Sequence, residues 1–258
     1  MPIITLLSDW GTPNTYYGQI TGRLLTNIPD ARVIELSPAV PAHDLEQAAY
    51  ILQHTCYHYP AGTVHLVFIG LNKPQQKTLL IHHDGQFFLM PDSGLISLVF
   101  ESSPQCIFEL PLDYADGITF KGRISYITAA TLLAKGLIPE EFAVQCKTYN
   151  QLRPVRPTYN ENDIMGQIIH IDPYGNAITN ITKGQFKHLQ QSRPFTIYLE
   201  DHSSKIEKIN ADYTNKNTGE LMALFNSNNH LEIAVSQGNA AQLLNLSTNS
   251  EIRVKFEI

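Results

Sequence analysis

The sequence predicts an α/β domain with a mainly parallel sheet, followed by a small antiparallel β-barrel. Strand-like and helix-like segments alternate over residues 1–150, which is typical of a layered α/β domain. A proline-punctuated and then polar stretch follows, and we predict a linker over residues 151–163. Over residues 164–258 the predicted strands are short and separated by turn residues, which favours a barrel or a sandwich.

The elements are predicted from hydrophobic pattern and turn residues. In the first domain the predicted strands are 3–7, 32–36, 64–69, 78–82 and 86–90, the last two joined by a type I′ turn at Asp84-Gly85. The predicted helices are 16–28, 44–57, 93–101 and 124–135, and Gly136 closes the last of them. In the second domain the predicted strands are 166–171, 195–199, 221–225, 231–235 and 251–256.

Composition excludes several classes of protein. The net charge of −6 and the pI near 5.9 argue against a nucleic-acid binder driven by electrostatics. No run approaches the roughly 18 apolar residues that span a membrane, and the first residues lack the basic region of a secretory signal. The cysteines, Cys56, Cys106 and Cys146, are far apart and odd in number. They indicate reduced thiols in a cytoplasmic protein rather than zinc ligands or disulfides.

Asp9 is the first candidate for a ligand-binding residue. It follows the opening strand within Ser8-Asp9-Trp10-Gly11, and ligands of open parallel sheets bind beyond the carboxyl ends of the strands. A carboxylate at this place is suited to accept hydrogen bonds from the two hydroxyls of a ribose. Asp is also a preferred capping residue before a helix. The residues alone leave both interpretations open.

A second candidate segment covers residues 171–181. It places Asp172, Asn176 and the ring of Tyr174 between apolar residues, a combination suited to an adenine or an amino-acid head group. The alternative is a strand-turn-strand in which the Asx side chains bond to their own backbone.

A third candidate segment, residues 119–123, directly precedes a predicted helix. Backbone amides at a helix start favour anions, and Lys121 and Arg123 add positive charge beside them. Solvated surface charges are the alternative.

Seven segments in register carry a family resemblance over essentially the whole chain. They are Ser8-Asp9-Trp10-Gly11 with Tyr16-Tyr17-Gly18, Pro60-Ala61-Gly62-Thr63-Val64-His65, Pro91-Asp92-Ser93-Gly94-Leu95, Thr119-Phe120-Lys121-Gly122-Arg123, Ile171-Asp172-Pro173-Tyr174-Gly175-Asn176 with Thr179-Asn180-Ile181, Leu231-Glu232-Ile233-Ala234-Val235, and Gly238-Asn239-Ala240-Ala241. Together they resemble the S-adenosylmethionine hydroxide adenosyltransferases, which are relatives of the fluorinating and chlorinating enzymes.

The resemblance implies the same two-domain fold and a homotrimer, with the substrate S-adenosylmethionine held between the first domain of one subunit and the barrel of the next. It implies in-line displacement at the ribose C5′, with no cofactor and no metal. Catalysis is then mostly positioning and desolvation, because the sulfonium is an excellent leaving group.

The resemblance also assigns residues to the substrate. Asp9 would bind the ribose hydroxyls, and Ser227 would close the purine side. Asp172, Tyr174 and Asn176 would surround the methionine and adenine portions. The expected substrate-binding set is completed by Trp10, Asn14, His43, Phe120, Gly122 and Glu232.

The chain departs from the water-using members of that family around the nucleophile, where they place an Asp, an Arg and a His. Gly70 stands at the Asp position, Lys77 is the nearest candidate for the Arg, and Lys121 occupies the His position. His43 stands where the fluorinating enzyme has a Trp, and Gly122 replaces its serine. The expected catalytic residues are therefore Lys121 and Lys77.

Three functions are compatible with these departures. The first is hydrolysis to adenosine and methionine, in which Lys121 or Lys77 orients water or hydroxide. The second is a homologue that binds S-adenosylmethionine or adenosine without turnover. The third is a halide-using adenosyltransferase, since a halide needs no base. A trimeric scaffold without a ligand would have no reason to keep Asp9 and Asn176 together.

Overall fold

The computed structural model describes residues 1–12, 14–37, 40–71, 76–100, 102–111, 122–200, 204–214 and 217–257. Its contacts divide the chain into two compact units, Met1–Pro154 and Val155–Ile258. Within the described ranges, no helix is long and apolar enough to cross a membrane.

The first unit is built on a mixed α/β sheet. Its strands are β1 (Ile3–Ser8), β2 (Arg32–Ser37), β3 (Val64–Phe68), β4 (Thr78–His83), β5 (Gln86–Pro91), β6 (Cys106–Leu110) and β7 (Val144–Gln145). Its helices are α1 (Thr15–Asn27), α2 (Leu45–Thr55), α3 (Ile96–Val99) and α4 (Gly122–Ala134), with 3₁₀ turns at Cys56–His58 and Pro139–Glu141. Among the described residues the strand order is β2-β1-β3-β5-β4-β6-β7, parallel from β2 to β5 and antiparallel beyond.

Both faces of this sheet are covered by helices. β1 directs Ile4 and Leu6 into the core formed with α1 and α4, and Leu7 into the core formed with α2 and α3. Strands that are buried on both faces are apolar at successive positions, which explains the opening run of the sequence. The predicted α/β domain with a mainly parallel sheet is confirmed.

The predicted chain reversals of this unit are also present. Asp84 and Gly85, between β4 and β5, have φ of 48° and 73°, as a type I′ turn requires. Gly136 ends α4 with φ of 87°, and the N–H of Leu137 reaches back to the carbonyl of Leu132 at 3.2 Å. This is the Schellman closure that a glycine after a helix indicates.

The predicted helix over 93–101 was wrong in extent. The structure forms only the single turn α3, which spans 96–99. Gly94 has φ of 94°, which a residue of a right-handed helix does not adopt, so the helix cannot include Gly94 and begins only after it. Phe100 is already extended, with φ of −100° and ψ of 122°.

The second unit is mostly antiparallel. Its strands are β8 (Thr158–Tyr159), β9 (Asp163–Ile171), β10 (Ala177–Thr182), β11 (Phe195–Tyr198), β12 (Lys205–Ile206), β13 (Ile209–Asn210), β14 (Leu221–Phe225), β15 (His230–Val235) and β16 (Glu251–Phe256), and its helices are α5 (Lys183–Gln190) and α6 (Ala240–Leu243). Among the described residues the order is β12-β11-β16-β9-β10-β15-β14-β13, with β8 paired to β9. The sheet forms the near-closed barrel that the sequence predicts, around a core that includes Ile168, Ile233 and Phe256.

Helix α5 is an element that the strand pattern missed. Thr182 and Gln185 form a capping box at its start, in which the hydroxyl of Thr182 accepts from the N–H of Gln185. That Thr-x-x-Gln spacing is a helix-start signal in the sequence. Phe186 anchors the helix by burying its ring in the barrel core.

A buried polar network lies within the first sheet. His65 on β3 contacts the hydroxyl of Thr5 through Nδ1 at 2.7 Å and Oε1 of Gln86 through Nε2 at 3.2 Å. The amide nitrogen of Gln86 donates to the carbonyls of Cys56 and Tyr59, which fixes its oxygen toward His65. Nε2 of His65 therefore carries the proton, and Nδ1 accepts from Thr5. Burial lowers the pKa of His65 to about 4, so that the ring is neutral at pH 7.

Candidate functional site

The loops that follow β1, β2 and β3 meet at one edge of the first sheet. Asp9 follows β1, and its Oδ2 accepts hydrogen bonds from the backbone N–H of His43 at 3.0 Å and of Gly70 at 3.5 Å. In the sheet, β2 lies on one side of β1, and the next strand, β3, lies on the other side of β1. The carboxyl ends of β1 and β3 therefore flank the topological switch point, where ligands of open α/β sheets bind.

Asp9 does not cap helix α1. Asn14 is the cap, because its Oδ1 accepts from the N–H of Tyr16 at 2.6 Å, and its amide also donates to the carbonyl of Trp10 at 3.3 Å. The Asp9 side chain is 12% exposed, and no described residue bonds to its Oδ1. This geometry excludes the capping interpretation of Asp9, and its contact with a ligand stays a prediction. Asn14 has a structural role here, and its contact with substrate stays a prediction.

The loop that carries His43 holds a strained backbone. His43 has φ of 65°, a left-handed conformation that costs a non-glycine residue about 1 kcal/mol or more. Its N–H bonds to Asp9, and its exposed ring places Nδ1 3.8 Å from the same carboxylate oxygen. The strain is located where this loop meets the candidate ligand-binding carboxylate.

An aromatic wall stands beside Asp9. The ring of Trp10 lies 4.9 Å from that of Phe68 and 5.5 Å from that of Tyr16, measured between centroids. Phe68 in turn stacks on the buried ring of Tyr126 at 4.7 Å. Trp10, which directly follows Asp9, is half-buried, so that its ring is positioned by this stack and is also partly exposed to solvent.

A side chain at Gly70 would be tightly packed. Its φ is 75°, and a Cβ added to it would lie 3.1 Å from Cβ of Ser93 and 3.2 Å from Cδ2 of Leu45. An aspartate at this position would require both neighbours to move. The hydroxyl of Ser93 is buried and has no hydrogen-bond partner among the described residues. The left-handed backbone and the close neighbours therefore both disfavour a side chain at this position.

The two predicted catalytic lysines are not equivalent. Nζ of Lys77 lies 2.8 Å from Oε2 of Glu109, and this hydrogen bond raises the pKa of Lys77. The carboxylate of Glu109, on β6, stabilises the charged ammonium of Lys77, so that this side chain is unsuited to accept a proton. Phe120 and Lys121 lie outside the described residues, and Gly122 is the first residue of α4. A catalytic role of either lysine stays a prediction.

The loop between β9 and β10 is organised by Asp172. Its Oδ1 accepts from the N–H groups of Tyr174 and Asn176, each at 2.9 Å, and its Oδ2 accepts from the Asn176 amide at 2.9 Å. Asp172 thus bonds to groups of its own loop, as the strand-turn-strand alternative expects. They hold Asn176 at 8% exposure and leave the ring of Tyr174 79% exposed.

Glu232 is a buried carboxylate in the same barrel. It lies on β15 at 3% exposure, and its Oε1 accepts from the hydroxyl of Tyr213 at 2.5 Å. Burial raises the pKa of Glu232, hydrogen bonds from Tyr213 and Asn226 oppose the shift, and the charge of Asp172 adds to it. The barrel therefore keeps two carboxylates close enough to interact electrostatically. Tyr213 and Asn226 are site residues that the sequence patterns did not single out.

Ser227 lies in the turn between β14 and β15. Its own side chain is exposed, while the side chain of Asn226 shapes the turn by accepting from the N–H groups of Asn228 and His230. Because Asn226 also bonds to Glu232, this turn and the buried carboxylate form one connected group. The role of Ser227 toward a purine stays a prediction.

A close approach joins two of the resembling segments. Gly175 has φ of 81°, and a Cβ added to it would lie 2.1 Å from Cγ of Asn239. The N–H of Ala241 also donates to the carbonyl of Gly175 at 2.9 Å. Only glycine allows this contact, which packs the Asp172 loop against the start of α6.

We expect Gly175→Ala to destabilise the second unit by about 2 kcal/mol or more, because backbone strain and overpacking add. Gly219→Ala is the matched control, since Gly219 has φ of 85° and open space around its Cα. Urea unfolding followed by circular dichroism measures both. Equal losses in the two variants would show that the Asn239 contact contributes nothing.

Comparison with known proteins gives a consistent result for both units. The model of the SAM hydroxide adenosyltransferase N-terminal domain matches residues 4–143, and that of the C-terminal domain matches residues 166–253. The chain is 29% identical to the (R)-S-adenosyl-L-methionine hydrolase of Methanocaldococcus jannaschii, over 99% of this chain and 97% of that protein.

Two further similarities extend the comparison. A fluorinase of Nocardia brasiliensis is 22% identical over 98% of this chain and 97% of its own length. The crystal structure of an uncharacterized conserved protein from Thermotoga maritima matches with a TM-score of 0.86 and 25% identity. That match covers 98% of this chain and 99% of the other.

Proposed function

Because the chain belongs to the SAM hydroxide adenosyltransferase family, we propose that it binds S-adenosylmethionine and hydrolyses it to adenosine and methionine. The observation that carries the proposal is the Asp9 carboxylate at the switch point of the sheet, with Oδ1 left free by the described residues. The similarity to an (R)-S-adenosyl-L-methionine hydrolase over nearly the whole chain supports the same reaction.

Substrate binding uses groups that the fold already orients. Oδ1 of Asp9 accepts hydrogen bonds from the ribose hydroxyls, while Oδ2 stays bound to the amides of His43 and Gly70. Trp10 supplies an apolar wall beside the sugar. In the barrel, Asp172 and Glu232 provide negative charge that suits a cationic sulfonium substrate.

The reaction is a displacement at the ribose C5′. The oxygen of water forms a bond to C5′ while the C5′–S bond breaks. The electron pair of the C5′–S bond goes to sulfur, which gives the neutral thioether of methionine. The water loses one proton to solvent and becomes the 5′-hydroxyl of adenosine. Because the sulfonium leaves readily, the protein contributes by holding water in line and by excluding bulk solvent.

A second candidate function is binding without turnover. The observation that favours it is Gly70, where a left-handed backbone and the nearby side chains of Ser93 and Leu45 disfavour the carboxylate that water-using relatives are expected to carry. A third, halide attack, needs no base and is tested alongside.

Product analysis separates these functions. The protein is incubated with S-adenosylmethionine, with and without chloride, and the products are resolved by chromatography. Adenosine supports hydrolysis, and 5′-chloroadenosine formed only with chloride supports the halide reaction. Bound ligand without product supports the silent homologue. The absence of both product and binding would contradict every one of them.

The two lysines are expected to differ in their effect on turnover. Lys121→Ala should lower kcat by about a hundredfold if that residue orients the nucleophile. Lys77→Ala removes the same charge, and kcat should change by less than about threefold, because Glu109 already holds that ammonium. Initial rates of adenosine formation measure both. A larger loss for Lys77→Ala would reverse the assignment.

We also propose that the protein is a homotrimer in which neighbouring subunits complete each site. The family resemblance supports this assembly. Sedimentation equilibrium is expected to give three times the chain mass of 29.0 kDa, and a monomer with full activity would exclude shared sites.

A further inference from the structure

The barrel unit carries a cleft that the proposed reaction does not use. It has a volume of about 500 Å³ and lies between α5 and the segment that holds β12 and β13. Lys183 and Lys187 line it from α5, and Lys208 lines it from the facing segment. Its apolar lining includes three phenylalanine rings, those of Phe186, Phe195 and Phe225. Neither Asp172 nor Glu232 lines it.

Lys183 is placed against the preference of helix α5, whereas Lys187 lies in its last turn, where the dipole favours a cation. Lys183 is the first residue of α5, where the helix dipole disfavours a cation, and the first turn contains no acidic residue. Lys187 follows four residues later, so that two like charges lie on one face and repel. Among the described residues, no carboxylate forms an ion pair with Lys183, Lys187 or Lys208. Natural sequences break such local preferences mainly at functional sites.

The apolar side of the cleft offers ring surface. Phe186 is buried and contacts Phe195 and Phe225 edge-to-face, with centroids 5.0 and 5.4 Å apart. Phe195 and Phe225 are only half-buried. Nζ of Lys183 stands 6.0 Å from the centroid of Phe225, so that the positive charge and the exposed ring face the same space.

We propose that this cleft binds a small ligand in which a phosphate is attached to a flat apolar body, that is, an aryl phosphate. The three lysines hold the phosphate oxygens by charge-assisted hydrogen bonds, and the rings of Phe195 and Phe225 contact the flat body. The lining carries three lysines against the single carboxylate of Glu207, a local excess of positive charge on a chain of net charge −6.

Titration with 1-naphthyl phosphate, followed by calorimetry, tests the proposal on the full chain. We expect saturable binding with one ligand per chain and an affinity that decreases as salt screens the lysines. Neutral 1-naphthol should bind at least about tenfold more weakly, since it lacks the charged partner of the lysines.

Variants locate the binding. The triple variant Lys183→Gln, Lys187→Gln, Lys208→Gln should bind the probe at least about tenfold more weakly than the wild type. Lys135→Gln, Lys147→Gln, Lys255→Gln removes the same charge outside the cleft and should bind as the wild type does. Circular dichroism confirms that both variants are folded. Equal affinity of the two triple variants, or no binding of the probe to the wild type at millimolar concentration, would overturn the proposal.

Discussion

Asp9→Asn is expected to weaken the binding of S-adenosylmethionine by about a hundredfold or more, because it removes charge-assisted hydrogen bonds worth about 1.5–3 kcal/mol each. The asparagine oxygen can still accept from the N–H groups of His43 and Gly70, so that the loops remain in place. The amide nitrogen then replaces Oδ1 and presents a donor where the ribose hydroxyls need an acceptor. Asp9→Ala removes both acceptors and should abolish binding.

The measurement uses Trp10, the single tryptophan of the chain, which directly follows Asp9. Its fluorescence is expected to change on ligand addition, and calorimetry gives an independent affinity. Asp30→Asn is the control. Asp30 is exposed and precedes the amino end of β2, whereas Asp9 follows the carboxyl end of the parallel strand β1. An unchanged affinity of the Asp9→Asn variant for S-adenosylmethionine would contradict the proposal that Asp9 binds the ribose hydroxyls.

The second large effect is an acid destabilisation of the first unit caused by His65. Its pKa is about 4 in the folded protein and near the ordinary value of about 6.5 in the unfolded chain. The unfolded chain therefore takes up a proton first as the pH falls. The stabilisation is complete above about pH 6.5 and is lost as the pH approaches 4, which amounts to about 3 kcal/mol.

Urea unfolding at pH 7 and pH 4.5, followed by Trp10 fluorescence, measures this loss in the unit that contains His65. Trp10 lies in the first unit, so its fluorescence reports the unfolding of that unit. The signal is thereby separated from unfolding of the second unit, where burial also lowers the pKa of His230. The control is His65→Gln, which cannot titrate and should lose most of the dependence on pH while being less stable at pH 7. The same dependence in both proteins would show that other groups cause it.

Local patterns make Asp9 a candidate but do not identify its partners. The apolar run of β1 places Asp9 at a carboxyl end, and the crevice rule makes that position a candidate. His43 and Gly70 reach it from 34 and 61 residues away, a proximity that depends on strand order rather than on local sequence. The sequence alone leaves the choice between cap and ligand open because Asp is itself a preferred cap residue, whereas the structure shows Asn14 as the cap.

The barrel shows the same limit. The alternation of its strands predicts which residues face the core, and Glu232 could be found through its segment of the family resemblance. Tyr213, which donates to Glu232, comes from a loop 19 residues earlier that has no periodic pattern. The capping box of α5 was a usable signal, but the short strands on either side of it dominated the prediction.

Labelling tests the central claim, attack of water at the ribose C5′, most directly. The protein is incubated with S-adenosylmethionine in water enriched in the heavy oxygen isotope, and adenosine and methionine are analysed by mass spectrometry. We expect one heavy oxygen in the 5′-hydroxyl of adenosine and none in methionine. Unlabelled adenosine, or cleavage at another bond of the sulfonium, would contradict it.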